Sequence, residues 1–305
     1  MVGVERSGTT LVRAILDAHP DLAIPQESYF VVELALGRER YERPEGFDAD
    51  AVMDDLAAHV WFRRWELPEQ DVRTAVAGAT NYAGAIRAVF GAWARVEGKP
   101  RYGDKSPRYV LALPLLAELF PESRFLHVIR DGRDVSLSFS QQFDLPVPLA
   151  MRRWRRRVGI GRSDGIRLGP DRYLEIRYED LVADPEQSVR QVCAFIDVPF
   201  DASMLRHHER AERLLGPMHD RFRHERIALP VSPGLRDWRD EMSPADLALC
   251  EHVGGELLSE LGYELSGRRP SVFDRARLFH LRVRHRRRFR LFPRRQPRDS
   301  SIACR

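Results

Sequence analysis

The sequence is poor in lysine, in cysteine and in long apolar runs. Only two of its 49 basic residues are lysines, Lys99 and Lys105, and the other 47 are arginines. The three cysteines, Cys193, Cys250 and Cys304, are isolated and form no CxxC pair, which indicates neither a disulfide framework nor a zinc site. We expect the first two to be helix residues that face the protein core.

No apolar run in the sequence approaches the length needed to cross a bilayer. The first residues enter a motif directly, with no charged and apolar leader of the signal-peptide kind. A cytoplasmic protein is therefore the expectation.

The charge of the chain is unevenly distributed. The 305 residues are 43% hydrophobic and 31% charged, an ordinary globular composition, and carry a net charge of +4. Residues 267–305 contain fourteen arginines and two aspartates, a balance of +12, which leaves −8 for residues 1–266. We predict a folded body over residues 1–265 and an arginine-rich C-terminal tail over residues 266–305.

Short apolar runs alternate with helical patterns along the body, which predicts an α/β fold with a mainly parallel sheet flanked by helices. Strands are predicted at MVGV, RYGD, RFLHVIR (124–130) and RYLEIRY (172–178), and a helix at TTLVRAILDAHP. A helical insertion is expected over about residues 41–98. Ser243, followed by Pro244 and Asp246, predicts the start of a helix that reaches about Leu261.

The first predicted strand is short. Its four residues compare with a mean of about five or six for strands in general. We therefore expect the start of the sequence to be internal, with an in-frame extension upstream that encodes a few more apolar residues.

The stretch GVERSGTT follows this strand and has the outline of a P-loop, two glycines separated by four residues. Such a turn presents backbone N–H groups to an anion, with the positive end of the helix dipole behind them. Thr9, however, stands where a nucleoside triphosphatase carries its lysine. The loop therefore suits a single phosphate better than a triphosphate, and a purely structural turn is the alternative.

A second polar stretch, RDGRDVSLS, follows the strand at 124–130. Ligands bind at the carboxyl ends of parallel strands in open α/β sheets. Arg130 can form a bidentate contact with a phosphate, and Ser138, two helical turns later, can donate to the same group. The alternative is a surface charge and a hydroxyl on a helix face.

Together these two stretches resemble the 5′-phosphosulfate loop and the 3′-phosphate site of sulfotransferases that use 3′-phosphoadenosine 5′-phosphosulfate (PAPS). The segments RYEDLVADPE (177–186) and PGLRDWRDEM (233–242) resemble later signatures of the same family. The resemblance runs from Val2 to about Tyr263 and excludes the insertion and the tail. Within the family, the sequence is most similar to tyrosylprotein sulfotransferases and their bacterial relatives.

The resemblance implies PAPS as co-substrate and no catalytic metal ion. It places the 5′-phosphate on Arg6 and the loop residues Ser7, Gly8, Thr9 and Thr10, the 3′-phosphate on Arg130 and Ser138, and adenine beside Tyr178.

The resemblance also implies two catalytic residues. Glu27 matches the glutamate that acts as general base in the tyrosylprotein branch, and Lys105 matches the lysine that contacts the leaving oxygen and the sulfonate. The sequence departs from that branch at Arg236, which stands where a catalytic serine is expected; binding of donor phosphate is the role we expect for it instead.

Two other classes of function stay open at this stage. A P-loop kinase or NTPase is disfavoured by the missing lysine and by the lack of a clear magnesium-binding carboxylate. The tail places Val272, Phe279 and Val283 at helical spacing among arginines, which suits an anionic membrane surface. A helix packed on the body, followed by a solvated end, is the alternative for the tail, and no nucleic-acid partner is expected.

The acceptor is left undetermined by the sequence: a small molecule, a carbohydrate, a lipid or a peptide hydroxyl all fit. The aromatic residues of the insertion either line an acceptor wall or form a core. These residues are Trp61, Phe62, Trp65, Tyr82, Phe90 and Trp93.

Overall fold

A three-stranded parallel sheet lies at the centre of the computed structural model, which describes residues 1–210, 225–231 and 237–285. Its strands are ordered β1 (Val2–Gly3), β6 (Phe125–Ile129) and β7 (Tyr173–Arg177). The sheet and its flanking helices confirm the predicted α/β class. All five residues of β6 are buried, as expected for the middle strand of a sheet that is covered on both faces.

Two further strand pairs complete the β-structure of the described residues. β2 (Leu22–Ala23) pairs in parallel with β5 (Arg101–Tyr102), and β3 (Glu42–Arg43) pairs antiparallel with β4 (Gly46–Phe47). The β3–β4 hairpin lies within the insertion that was predicted as helical, so that prediction was wrong for this segment. Pairs of two residues are too short to produce the alternation by which a strand is detected in sequence.

The α-helices are numbered in chain order over the described residues: α1 (Thr9–Asp17), α2 (Phe30–Ala35), α3 (Ala49–Ala58), α4 (Val60–Arg63), α5 (Glu69–Val76), α6 (Tyr82–Val96), α7 (Leu113–Leu119), α8 (Gly132–Phe143), α9 (Val147–Ile166), α10 (Tyr178–Ala183), α11 (Pro185–Ile196), α12 (Trp238–Glu241), α13 (Pro244–Glu260) and α14 (Val272–Arg284). Turns of 3₁₀-helix cover Arg38–Arg40, Pro107–Leu111, Ala202–Arg210 and Glu225–Ala228. None of the helices among these residues is both long and apolar enough to span a membrane.

The parallel register brings three loops to one edge of the central sheet. Val2 lies opposite His127, and Ile129 lies opposite Arg177. The residues that follow β1, β6 and β7 therefore emerge side by side at the carboxyl ends of the strands, where the polar residues of the predicted site are found.

β1 is short, as its sequence predicted, and the expected upstream extension stays a prediction. A cavity of about 580 Å³ lies beside it, lined by residues near the beginnings of four strands. Met1, Leu22, Tyr102 and Phe125 are among its lining residues.

The aromatic residues of the insertion mainly form a core rather than a wall. Phe62, Trp65, Tyr82 and Phe90 are all buried, and the ring centroids of Trp65 and Phe90 are 5.0 Å apart. Trp61 and Trp93 are only partly buried. The Trp61 ring lies edge-on to the ring of Tyr29, with 4.7 Å between the two centroids. Tyr29 is two residues past Glu27 in sequence.

Several local predictions are confirmed. Cys193 and Cys250 are buried within α11 and α13. α13 begins at Pro244, where the Ser243 side chain accepts a hydrogen bond from the backbone N–H of Asp246 at 3.1 Å. Cys304 lies outside the described residues.

Candidate active site

The loop between β1 and α1 is built on two residues with left-handed backbone conformations, Arg6 (φ 75°) and Gly8 (φ 90°). A Cβ atom at Gly8 would lie 2.4 Å from Cδ2 of Tyr178. Glycine is therefore required here for two reasons, the positive φ and the close approach of the Tyr178 ring. This packing joins the first loop to the residue that follows β7.

The hydroxyl group of Ser7 marks the interior of this loop. Ser7 is completely buried, and its Oγ atom has no hydrogen-bond partner among the residues that the structure describes. Helix α1 begins immediately afterwards at Thr9, and no side chain in the described part of the chain caps it. A buried polar atom without a partner costs free energy, and an anion held at this helix N-terminus would supply the missing acceptor.

The two phosphate-binding stretches predicted from the sequence meet in space. Arg6 donates from Nε to Oγ of Ser138 at 2.9 Å. Ser138 is buried on α8, more than a hundred residues after the loop in sequence. The structure therefore places the predicted sites for the two phosphates next to one another.

Arg130 lies at the start of the turn after β6 and is largely buried. Its guanidinium carbon is 4.6 Å from the centroid of the Tyr178 ring, and Nη2 is 3.6 Å from a carboxyl oxygen of Asp134. Its Nε is buried and has no hydrogen-bond partner in the described part of the protein. Arg130 thus retains a donor for a ligand, and Tyr178 presents an aromatic ring beside it.

Burial raises the pKa of Asp134 to about 6, although the neighbouring Arg130 acts in the opposite direction. The other carboxyl oxygen of Asp134 accepts a hydrogen bond from the backbone N–H of Trp238 at 2.9 Å. Asp134 was not predicted as a site residue. The sequence offered a signal for it, since it lies four residues after Arg130 on the first turn of a helix.

Glu27 and Lys105 form an ion pair between Oε1 and Nζ. The parallel pairing of β2 with β5 explains this meeting, because both residues follow the carboxyl ends of these strands. Two hydrogen bonds hold the two segments together: Ser28 donates from Oγ to Asp104 at 2.6 Å and from its backbone N–H to Oγ of Ser106 at 2.9 Å. The predicted catalytic pair is therefore assembled by backbone topology.

The electrostatics of the pair are set by burial and by mutual attraction. Burial lowers the pKa of Lys105, whose side chain is only 2% exposed, although Glu27 favours its charged form. Burial acts to raise the pKa of Glu27, but Lys105, a backbone hydrogen bond and Arg13 together outweigh it, so the net shift of that pKa is downward. If Lys105 moved to another anion, its part in lowering the pKa of Glu27 would be lost, and Glu27 would become a stronger base.

Glu5 connects the phosphate loop to the segment that follows Lys105. Its carboxylate forms ion pairs with Arg108 at 2.9 Å, Arg153 at 3.0 Å and Arg157. Burial acts to raise the pKa of Glu5, but these three arginines hold it well below its usual value. The cluster was not predicted, although the arginine-rich sequence of α9 offered a signal.

The described residues fit a ligand that carries two separate phosphate groups. Arg6, Arg130 and Lys105 provide three cations, and Ser7 Oγ and Arg130 Nε are buried polar atoms that still lack partners among the described residues. Arg236 lies outside the described residues, so its predicted role stays a prediction.

This arrangement defines a class of protein: an α/β fold with a P-loop-like turn after its first strand, a second turn that carries Arg130, and a carboxylate–ammonium pair. The family model described as "Sulfotransferase family" matches residues 1–202. The chain belongs to the sulfotransferase family.

Similar proteins agree with this assignment. A protein-tyrosine sulfotransferase of Drosophila melanogaster is 28% identical over 272 residues, which cover 86% of this chain and 50% of the relative. A putative protein-tyrosine sulfotransferase of Caenorhabditis briggsae is 29% identical over 284 residues, with 88% of this chain and 89% of the relative covered. The chain thus spans about half the length of the Drosophila protein.

A solved structure shows the same fold. The sulfotransferase domain of the Synechococcus PCC 7002 olefin synthase superposes with a TM-score of 0.61 at 26% identity, over 87% of this chain and 94% of that domain.

Proposed function

We propose that this protein transfers a sulfuryl group from PAPS to a hydroxyl group by in-line displacement. The observation that carries the proposal is the Glu27–Lys105 pair beside a phosphate loop that is itself linked to a second phosphate-binding turn. The pair and the loop are joined by the ion pair of Glu5 with Arg108, three residues after Lys105. PAPS supplies the activated sulfuryl group, and the chain supplies a base, cations and rigid positioning.

Glu27 is proposed as the general base. Its carboxylate is ionised, since its pKa is lowered, and 24% of the side chain is exposed, so an acceptor hydroxyl can approach it. General-base catalysis contributes typically about 10²–10⁴-fold to a rate. Glu27 takes the proton of the acceptor hydroxyl while the hydroxyl oxygen of the acceptor attacks the sulfur atom of PAPS.

Lys105 is proposed to stabilise the negative charge that develops on the leaving phosphate oxygen. Its ammonium group is buried and compact, and a buried cation acts more strongly than an exposed one because water screens it less. Moving toward that charge separates Lys105 from Glu27, which raises the pKa of the base as it is needed.

Arg6 and the loop residues Ser7 to Thr10 are proposed to hold the 5′-phosphate, and Arg130 with Ser138 the 3′-phosphate. The support is the contact of Arg6 with Ser138 and the two buried polar atoms described above. Tyr178, which packs on Gly8 and lies under Arg130, is proposed to line the adenine pocket.

The acceptor is proposed to be a peptide hydroxyl. The support is that two similar proteins are named as protein-tyrosine sulfotransferases, one of them putative. In addition, the partly buried Trp61 packs against the buried Tyr29, two residues after Glu27 in sequence.

The test combines donor binding with transfer. Isothermal titration with adenosine 3′,5′-bisphosphate and with ATP, each in EDTA and again with magnesium, measures donor preference, and transfer of labelled sulfate from PAPS to tyrosine-containing peptides measures activity. Glu27→Gln should bind the bisphosphate as wild type does and lose about 10²–10⁴-fold in turnover. Glu122→Gln, on the protein surface, is the matched control and should leave both unchanged.

Equal turnover by Glu27→Gln and wild type would remove the base assignment. A preference for ATP with magnesium would contradict the proposed function as a whole.

A further inference from the structure

Helix α14 is firmly attached to the body by one face. Leu278 is buried, Leu281 packs against the same core cluster, and Arg277 donates to Asp246 at 3.0 Å. A capping box fixes the start of the helix: Ser271 Oγ accepts from the N–H of Asp274 at 3.1 Å, and the Asp274 carboxylate accepts from the N–H of Ser271 at 2.9 Å. The helix is therefore a defined element of the folded protein.

The opposite face of α14 carries an outer stripe of apolar residues, Val272, Ala276, Phe279 and Val283. Their spacing of four, three and four places them along one side of a helix, about 100° or more away from Leu278 and Leu281. Val272 is 80% exposed, Phe279 69% and Val283 55%. Within the described residues, the helix packs on the core cluster through Leu278 and Leu281, not through this stripe.

Positive charge borders the outer stripe on both sides. At 100° per residue, Arg275 and Arg282 lie on one flank and Arg284 on the other, and all three are exposed. The segment from residue 267 to residue 305 has a net charge of +12. An apolar stripe between two cationic flanks is the pattern of a helix that lies in the plane of a membrane surface.

We propose that the outer stripe of α14 docks on an anionic lipid surface, with Phe279 and Val283 inserted among the headgroups and the flanking arginines on lipid phosphates. A second copy of the chain fits the stripe less well, because a symmetric contact would bring like-charged arginines together. Nucleic acid would match the charge but would leave the apolar side chains without a partner. A lipid surface satisfies both features, and the proposal is independent of the catalytic assignment.

The test is co-sedimentation of the full chain with vesicles of phosphatidylcholine alone and with added phosphatidylserine. The intact protein should bind the second kind and not the first. The double variant Phe279→Ser/Val283→Ser should weaken binding about tenfold or more, because insertion of apolar surface is lost. Arg275→Gln/Arg282→Gln should weaken it by about tenfold, and added salt should weaken wild-type binding.

Ile166→Ser is the matched control, since Ile166 is an exposed apolar residue of α9 and lies outside the outer stripe. It should bind vesicles as wild type does. Unchanged thermal unfolding and bisphosphate binding in every variant would show that the body is intact.

Three outcomes would overturn the proposal. The first is the absence of binding by the intact protein to phosphatidylserine vesicles. The second is wild-type binding by Phe279→Ser/Val283→Ser, which would assign the interaction to the basic residues after α14 alone. The third is a concentration-dependent dimer that this double variant abolishes, which would identify a second copy as the occupant.

Discussion

Arg130 and Arg133 are three residues apart at the same end of the sheet, yet their surroundings differ. Arg133 is 1% exposed and donates to Asp131, to Glu251 and to the backbone carbonyl of Glu264. Its guanidinium carbon also lies 3.9 Å from the centroid of the Trp238 ring. Among the described residues, Arg130 has a single, longer ion pair, and none of them accepts a hydrogen bond from its buried Nε.

The difference separates a structural arginine from a ligand-binding one. Each hydrogen bond of Arg133 is made within the protein, so a ligand could add little, and its removal would leave two buried carboxylates without a cation. Arg130 is held in place by Tyr178 but keeps hydrogen-bonding capacity, which is the condition for binding a phosphate. Arg130 was predicted as the phosphate ligand from its place at the end of the strand and from the family resemblance, but the stretch RDGRD itself does not show the contacts that separate it from Arg133.

The largest expected effect is a loss of stability in Arg133→Leu. Breaking a buried ion pair from one side typically costs about 3–5 kcal/mol, so the free energy of unfolding should fall by that amount in urea denaturation. Arg130→Leu, the matched control, should lose less than half as much. Equal losses in the two variants would contradict the structural role given to Arg133.

For donor binding, the substitution of Arg130 should have the larger effect and the substitution of Arg133 the smaller one. Arg130→Leu should weaken the binding of adenosine 3′,5′-bisphosphate by about 1.5–3 kcal/mol, the value of a hydrogen bond to a charged group. Isothermal titration would detect this loss as a tenfold or greater rise in Kd. A milder variant than Arg133→Leu, Arg133→Lys, should keep near-normal affinity wherever it folds. Unaltered affinity in Arg130→Leu would exclude Arg130 from the phosphate site.

Gly8→Ala should weaken the binding of the bisphosphate about tenfold, equivalent to about 1.4 kcal/mol, because the added Cβ would displace the Tyr178 ring. Gly98→Ala is the control. Gly98 also has a positive φ, 66°, but a Cβ atom there would have no described atom within 4 Å apart from its own neighbours in the chain. Both variants should lose about 1–2 kcal/mol of stability through backbone strain, and only Gly8→Ala should lose affinity.

Much of the fold was predictable because its longer elements leave clear patterns. The strands at 124–130 and 172–178 and the helices of the insertion were confirmed, and the capped start of α13 was placed at the correct residue. The β3–β4 hairpin was missed, since two residues per strand give no periodicity. Most residues of the candidate site were named from the sequence and the resemblance, without their contacts, whereas Asp134 and the cluster around Glu5 were missed. Which arginine of RDGRD is saturated depends on Glu251 and Trp238, more than a hundred residues later.

The smallest effect concerns the competition between Asp134 and a bound phosphate for Arg130. Because the pKa of Asp134 is raised to about 6, the carboxyl group is ionised at pH 7.5 and mostly protonated at pH 5. Only the ionised form attracts Arg130 away from a ligand. Asp134→Asn should therefore bind the bisphosphate a few-fold more tightly than wild type at pH 7.5. The effect is small because the Arg130–Asp134 ion pair is long, 3.6 Å between Nη2 and the carboxyl oxygen.

The two proteins should converge at pH 5, where wild-type Asp134 has lost its charge. Protonation of the ligand's own phosphate changes both affinities alike, so the ratio of the two Kd values, measured by titration across this pH range, isolates Asp134. Asparagine keeps the carbonyl oxygen that accepts from Trp238, which preserves the local structure. A ratio that stays constant from pH 5 to pH 7.5 would show that Asp134 does not compete for Arg130.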